Sequence, residues 1–124
     1  MLPRKQELMQ EEARTERLAL EIIRSDGLAT VHVKGELVWG LTNLLYDAVR
    51  KIIPQSKRVV LDFAELTHMD SMGIGTLVRL YVSAKAAGCE LELVHVGKRV
   101  RELLSVTKLL SVFSICGEHG IRMQ

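Results

Sequence analysis

Residues 18–23 (LALEII) and 29–33 (ATVHV) alternate apolar and polar side chains, the two-residue period of a strand with one buried face. Arg24-Ser25-Asp26-Gly27 lies between them and reads as a hairpin turn, because Asp and Gly accept the backbone angles of tight hairpins. Gly35 closes the second strand. The period then lengthens. Leu41, Leu44, Leu45, Ala48, Val49, Ile52 and Ile53 recur at helical spacing, predicting a helix over 41–53 that Pro54 ends. Residues 59–63 (VVLDF) form an apolar run of the kind found in strands buried on both faces. Ile74, Leu77, Val78, Tyr81, Val82 and Lys85 mark one helical face between Gly73 and Gly88, with Gly88 as the C-terminal cap. Residues 91–96 predict a fourth strand, 98–104 a short third helix, and 112–116 a fifth strand at a sheet edge.

Strands that alternate with helices after an opening hairpin imply an α/β sandwich: a mixed β-sheet of four to five strands packed against helices. Residues 1–17 break the pattern. They carry Arg4, Lys5, Arg14 and Arg17 against Glu7, Glu11, Glu12 and Glu16, with little apolar stripe. Glu-rich, glycine-free sequence favours helix, so this arm reads as a frayed helix, a partner-docking arm or a solvated tail. The organisation expected is a charged N-terminal arm, 1–17, and one domain, 18–124. A chain of 124 residues has room for one modest core.

Composition narrows the function classes. A net charge of +2 is too small to argue for nucleic acid, and aromatics at 4% leave no stacking platform for bases. The arm has no apolar stretch of the secretory type, and no apolar run approaches the roughly 18 residues of a membrane span. Cys89 and Cys116 are far apart, with no partnering Cys or His spacing. They read as free thiols in a reducing, cytoplasmic compartment, with neither metal nor cofactor implied. His32, His95 and His119 are scattered without metal spacing, and His32 and His95 fall on strand faces.

The chemistry concentrates in residues 59–75, VVLDFAELTHMDSMGIG. A strand, a short loop and Asp70-Ser71-Met72-Gly73 lead into the second helix, so the Ser71 hydroxyl stands at a helix N-terminus. Free backbone N–H groups and the positive end of the helix dipole there favour an anion. A phosphate on Ser71 would enter a ready anion site and bring about −1.5 to −2 of charge to a surface. Ser71 is equally suited to be the helix N-cap itself. Asp70 suits hydrogen bonds to loop amides or the orientation of a kinase or magnesium ion. Gly73 and Gly75 permit close backbone approach, and tight helix–sheet packing is the reading favoured for Gly75. A hydrolase built on His68, Asp70 and Ser71 is disfavoured: Met69 stands where a nucleophile elbow needs Gly, and residues so close in sequence seldom form a triad.

Asp-Ser-x-Gly-Ile-Gly after a strand ending Leu-Asp-Phe resembles the phosphorylation motif of the STAS domain, the domain of bacterial anti-sigma factor antagonists. The resemblance spans residues 18–116. It includes Gly35-Glu36-Leu37, the helix near Gly73, the strand over 90–96, and Val100-Arg-Glu-Leu-Leu-Ser-Val-Thr-Lys-Leu-Leu before the last strand. It implies a STAS-like mixed sheet and a non-enzymatic regulator. Such a regulator binds an anti-sigma factor, often a serine kinase, and thereby frees a sigma factor. Phosphorylation at Ser71 would block binding, and a PP2C-type phosphatase would restore it. The alternative is a STAS scaffold in a stress-signalling complex or a regulatory subunit of a membrane transport system. Oligomeric state stays open, a homodimer included.

Asp70, Met72, Gly73, Glu36 and Trp39 are the partner-binding candidates. Val38 stands where such antagonists usually carry Asp. With Trp39 it forms either an apolar contact patch or part of the core. Members of the family commonly end in a helix, whereas residues 117–124, GEHGIRMQ, are broken by Gly117 and Gly120. Lys98, Arg99, Arg101 and Lys108 make a local basic patch, read either as a solvated helix face or as a contact for an acidic partner surface or phosphate.

Overall fold

A computed structural model describes residues 9–106, 113–116 and 120–123. Strands and helices follow in the order β1 (Met9–Arg14), β2 (Leu18–Ser25), β3 (Leu28–Leu37), α1 (Thr42–Ile52), β4 (Arg58–Asp62), β5 (Leu66–Met69), α2 (Ser71–Ala87), β6 (Glu90–Val94), α3 (Lys98–Val106), β7 (Phe113–Cys116) and β8 (Gly120–Met123). All the strands join one mixed sheet, ordered β1-β2-β3-β4-β6-β8-β7, with β5 added beside the end of β3. Strands β3, β4 and β6 run parallel, and β5 is parallel to β3. The pairs at both ends of the sheet are antiparallel.

Alternation decides which face is buried. Leu18, Leu20 and Ile22 on β2, Ala29, Val31 and Val33 on β3, Val59 and Leu61 on β4, and Leu91 and Leu93 on β6 face one core. Helix α1 covers it with Leu45, Val49 and Ile52, and α2 with Ile74, Leu77, Leu80 and Ala84. The expected α2 face is therefore partly corrected. Leu80 lies inside, and Val82 is exposed. The hairpin turn is the two-residue pair Asp26 (φ 49°) and Gly27 (φ 81°), both in the left-handed region that matches strand twist. Ile53–Gln55 forms a single 3-10 turn where Pro54 stops α1. Gly88 at φ 71° caps α2 as expected, its N–H and that of Cys89 returning to the last turn.

The five expected strands are present, and three more join them. Residues 9–14 of the arm, read as helix or tail, form β1 instead, pairing along the edge of β2 from Met9↔Arg24 to Arg14↔Ala19. Paired backbone groups outweigh weak helix propensity in so short a segment. Gly120–Met123, read as a broken tail, inserts as β8 between β6 and β7. Strand β5 pairs with β3 across a register shift at Gly35/Glu36 and leads the chain to α2. Lys108 and His119 lie outside the described residues, and of Cys116 only the strand position is described.

The opposite face of the sheet carries a cluster that periodicity alone did not reveal. His32 and Asp62 are register partners on adjacent strands, and His95 follows β6 at φ 55°. The Nδ1 atoms of His32 and His95 lie 3.1 and 2.8 Å from the two Asp62 oxygens. An ionised carboxylate only accepts, so in the hydrogen bond with His95 it is the imidazole N–H that donates, to Asp62 Oδ1. Burial pushes the Asp62 carboxyl up, but the Ala64 N–H and the His95 ring outweigh it, and its pKa ends lowered. Stability from a lowered carboxyl is complete above the ordinary pKa of about 4 and is lost as pH falls through the native value. The stability difference between the native chain and Asp62→Asn, from denaturant melts, should therefore narrow between about pH 5 and about pH 2. A difference that holds constant over that range would count against this role for Asp62.

Candidate functional site

The sheet delivers Asp70 from the end of β5 to the start of α2, where it has extended backbone angles and acts as the helix N-cap. Its Oδ1 accepts hydrogen bonds from Met72 N–H at 3.0 Å and Gly73 N–H at 3.1 Å. The cap that Ser71 was equally suited to supply thus belongs to Asp70. Ser71 is the first helical residue, exposed to solvent. The two readings differ by one residue because Asp and Ser are comparable N-caps. The consequence is chemical. The N–H groups expected to await a phosphate already hold a carboxylate.

Asp70 reaches further. Its Oδ2 accepts from the backbone N–H of Trp39 at 2.9 Å, across 31 positions of sequence. One side chain therefore joins the start of α2 to the loop between β3 and α1. That loop is a tight turn. Leu41 N–H donates to Val38 C=O at 2.9 Å, and Gly40 takes φ 86°, the third-position angle of a type II turn. Trp39 is 75% exposed and Met72 49%, so the sole Trp is a surface group and not core. Trp39, Met72 and Ser71 are all exposed, and the Asp70 carboxylate joins the Trp39 and Met72 backbones.

The glycines exchange the roles expected of them. Gly73 is buried against the end of β3: a Cβ there would lie 2.6 Å from Leu37 O and 2.7 Å from Met69 Cγ. Gly75 is exposed, with nothing within 4 Å of a built Cβ, so it packs against nothing. Gly75→Ala should therefore raise stability by about 0.5–1 kcal/mol, the gain in helix propensity. A lower melting temperature for that variant would contradict the open geometry.

Glu36 does not join the Asp70 group. It alternates with buried Leu37 and is held in a two-point pair by Arg17, at 2.7 and 3.1 Å. That hydrogen bond, with the Arg17 charge, lowers the Glu36 carboxyl and raises the Arg17 guanidinium. Both are solvent-accessible, and such pairs add little stability. His68 is exposed, with Nδ1 3.0 Å from Thr67 Oγ1, while Asp70 serves amides. The three residues of the disfavoured hydrolase therefore form no triad. Among the described residues no group of three or more His, Cys, Asp or Glu is placed to hold a metal ion. No helix among them is long and apolar enough to cross a membrane. Lys98 and Arg99 are exposed on α3, while Arg101 is half-buried. Cys89 is buried, and that burial raises its thiol pKa.

Residues 19–120 match the family model of the STAS domain. Among solved structures, an anti-sigma factor antagonist from Mycobacterium paratuberculosis aligns at a TM-score of 0.65 and 17% identity, covering 95% of this chain and 92% of that one. A sulfate transporter family protein from Wolinella succinogenes aligns at 0.60 and 20% identity, covering 68% and 70%. The Bacillus cell fate determinant SpoIIAA in its phosphorylated form aligns at 0.57 and 16% identity, covering 82% and 85%. The fold also occurs within a longer chain: the match to the crystal structure of Mglu, at 0.57 and 20% identity, covers 64% of this chain and 20% of that one. At these identities the likeness is one of fold: a mixed sheet with helices on one face.

Proposed function

The chain belongs to the STAS domain family, and from that membership we propose that it is an anti-sigma factor antagonist switched by phosphorylation at Ser71. The observation that carries the reading is Ser71, exposed on the first turn of α2 next to exposed Met72 and to Asp70, whose carboxylate holds the backbone of exposed Trp39. An anti-sigma factor docks on this surface and gives up its sigma factor. Where the partner is itself a serine kinase, Ser71 Oγ attacks the γ-phosphorus of ATP. The hydroxyl proton leaves to a base of the kinase, the Oγ–P bond forms, and the bond to the departing ADP breaks. A PP2C-type phosphatase reverses the state with water, returning serine and inorganic phosphate. The domain supplies an acceptor and a surface and no catalytic group of its own.

Trp39 is the anchor of that surface. A large amphipathic ring, exposed in a turn whose backbone Asp70 holds, gains most from burial in a partner. Trp39→Ala should weaken the complex about tenfold to thirtyfold while leaving the melting temperature unchanged, since the ring contributes little to the core. Titration calorimetry with the partner measures the first and a thermal melt the second. Unchanged affinity would remove Trp39 from the interface.

A second reading has its own support. The likeness to a sulfate transporter family protein fits a regulatory subunit of a transport system. The two separate on one experiment. The tagged chain is used to capture partners from its native cell, with and without phosphatase treatment, and mass spectrometry identifies them. An anti-sigma factor retained better after phosphatase treatment supports the antagonist. A transport protein, indifferent to treatment, supports the second reading.

A further inference from the structure

We propose that a phosphate on Ser71 acts through Asp70, displacing its carboxylate from the start of α2 and so releasing the Trp39 turn. This inference rests on the reading of Ser71 as the phosphorylated residue and adds what the phosphate does inside the domain. Met72 N–H and Gly73 N–H both end on Asp70 Oδ1, and Ile74 N–H ends on the Asp70 carbonyl at 3.2 Å. Three N–H groups of the first turn, those of Met72, Gly73 and Ile74, thus end on Asp70, directly beside the acceptor serine. A phosphate carries more charge than a carboxylate and three oxygens, and it favours the same N–H groups at the positive end of the helix. Two anions cannot share those donors without strong repulsion between neighbours.

What yields is set by packing. Gly73 is pressed against Leu37 and Met69, so the start of α2 is fixed to the end of β3. The Asp70 side chain is held at its outer oxygen by a single backbone N–H, that of Trp39, in an exposed turn. Expelling the carboxylate breaks that bond. The turn at Val38–Leu41 then loses its hydrogen bond to Asp70, and Trp39 is no longer held to the start of α2. Modification of one hydroxyl in this way disassembles the docking surface as well as charging it.

Trp39 is the sole Trp of the chain, which makes it a built-in reporter. The full chain is prepared with phosphoserine genetically encoded at position 71, so that no native kinase is required. Trp39 amide hydrogen exchange is followed by NMR, with Trp fluorescence anisotropy alongside. Phosphorus NMR verifies the modification. The expected result is an exchange rate for the Trp39 amide raised at least about tenfold over the unmodified chain. Asp70→Ser should reproduce the rise without the phosphate, because a serine cap still serves the helix but is too short to reach Trp39. Adding phosphoserine to Asp70→Ser should then change little more. A Trp39 amide in the phosphorylated chain that exchanges within about twofold of the unmodified rate would overturn the relay. Binding is scored separately with the anti-sigma partner. Lost affinity with an unmoved Trp39 sinks the relay and spares the antagonist reading. A released Trp39 with unchanged affinity sinks the antagonist reading and spares the relay.

Discussion

Phosphorylated on Ser71, the domain should bind a kinase-type anti-sigma partner about 30- to 1000-fold more weakly than the unmodified chain, a loss of about 2–4 kcal/mol. The magnitude follows from where the charge arrives. A dianion at Ser71 stands next in sequence to exposed Met72 and to Asp70, which holds the backbone of exposed Trp39, and it must be stripped of water for the complex to close. It also meets any acidic group across the interface and the Asp70 carboxylate on its own side. Ser71→Ala should bind like the unmodified chain. Ser71→Asp should bind more weakly, though less so than the phosphorylated form, because one carboxylate supplies only part of the phosphate charge. Calorimetry on the three forms compares them directly. Equal affinity of the phosphorylated and unmodified chains would defeat the switch and leave the scaffold or transport reading ahead.

Replacing Gly73 by Ala should lower stability by about 2–3 kcal/mol, within the range for overpacking a well-filled site. The added carbon has two obstacles: Met69 Cγ, which can rotate, and the Leu37 carbonyl, which is backbone and cannot. Either β3 or the start of α2 must shift. For a domain of this size the melting temperature should fall by roughly 8–15 °C. The same shift would disturb the Asp70 cap, since the Gly73 N–H is one of its donors. Partner affinity should therefore fall along with stability. Gly75→Ala, two residues along the helix, is the control that separates this clash from a general effect of losing glycine near the site. If Gly73→Ala melted at the native temperature, the close approach of α2 to β3 would be refuted.

Much of the fold was legible because burial follows period. Leu18, Leu20 and Ile22 alternate; Leu45, Val49 and Ile52 recur at helical spacing; and each set is found buried where its period places it. What escaped shared a different trait. Strand β1 is rich in Glu and exposed almost throughout, so no apolar alternation announces it, and pairing with β2 alone makes it a strand. Strand β5 has four residues of which one, Met69, is buried. In α2 the apolar residues run nearly all the way round, and sequence alone did not rank Leu80 above Val82. The site divides in the same way. The acceptor position was legible from a local pattern of strand, loop and glycine. The Trp39–Asp70 bond and the His32–Asp62–His95 cluster join residues about thirty positions apart, and only the register of the folded sheet brings such groups together.

The first strand has a consequence for how the molecule behaves in a crowd. Strand β2 is among the most apolar segments of the chain, and β1 occupies what would otherwise be its open backbone edge. In exchange the sheet ends on a strand carrying Glu11, Glu12 and Arg14, side chains that repel or hydrate and make poor templates for another copy. Part of the charged arm is thus a selvedge: it finishes the weave so that the cloth does not join itself to the next piece. A chain trimmed back to the residues just before β2 would keep its core and its serine, yet present Leu18–Ser25 as a sticky border, and its solubility would suffer before its fold did.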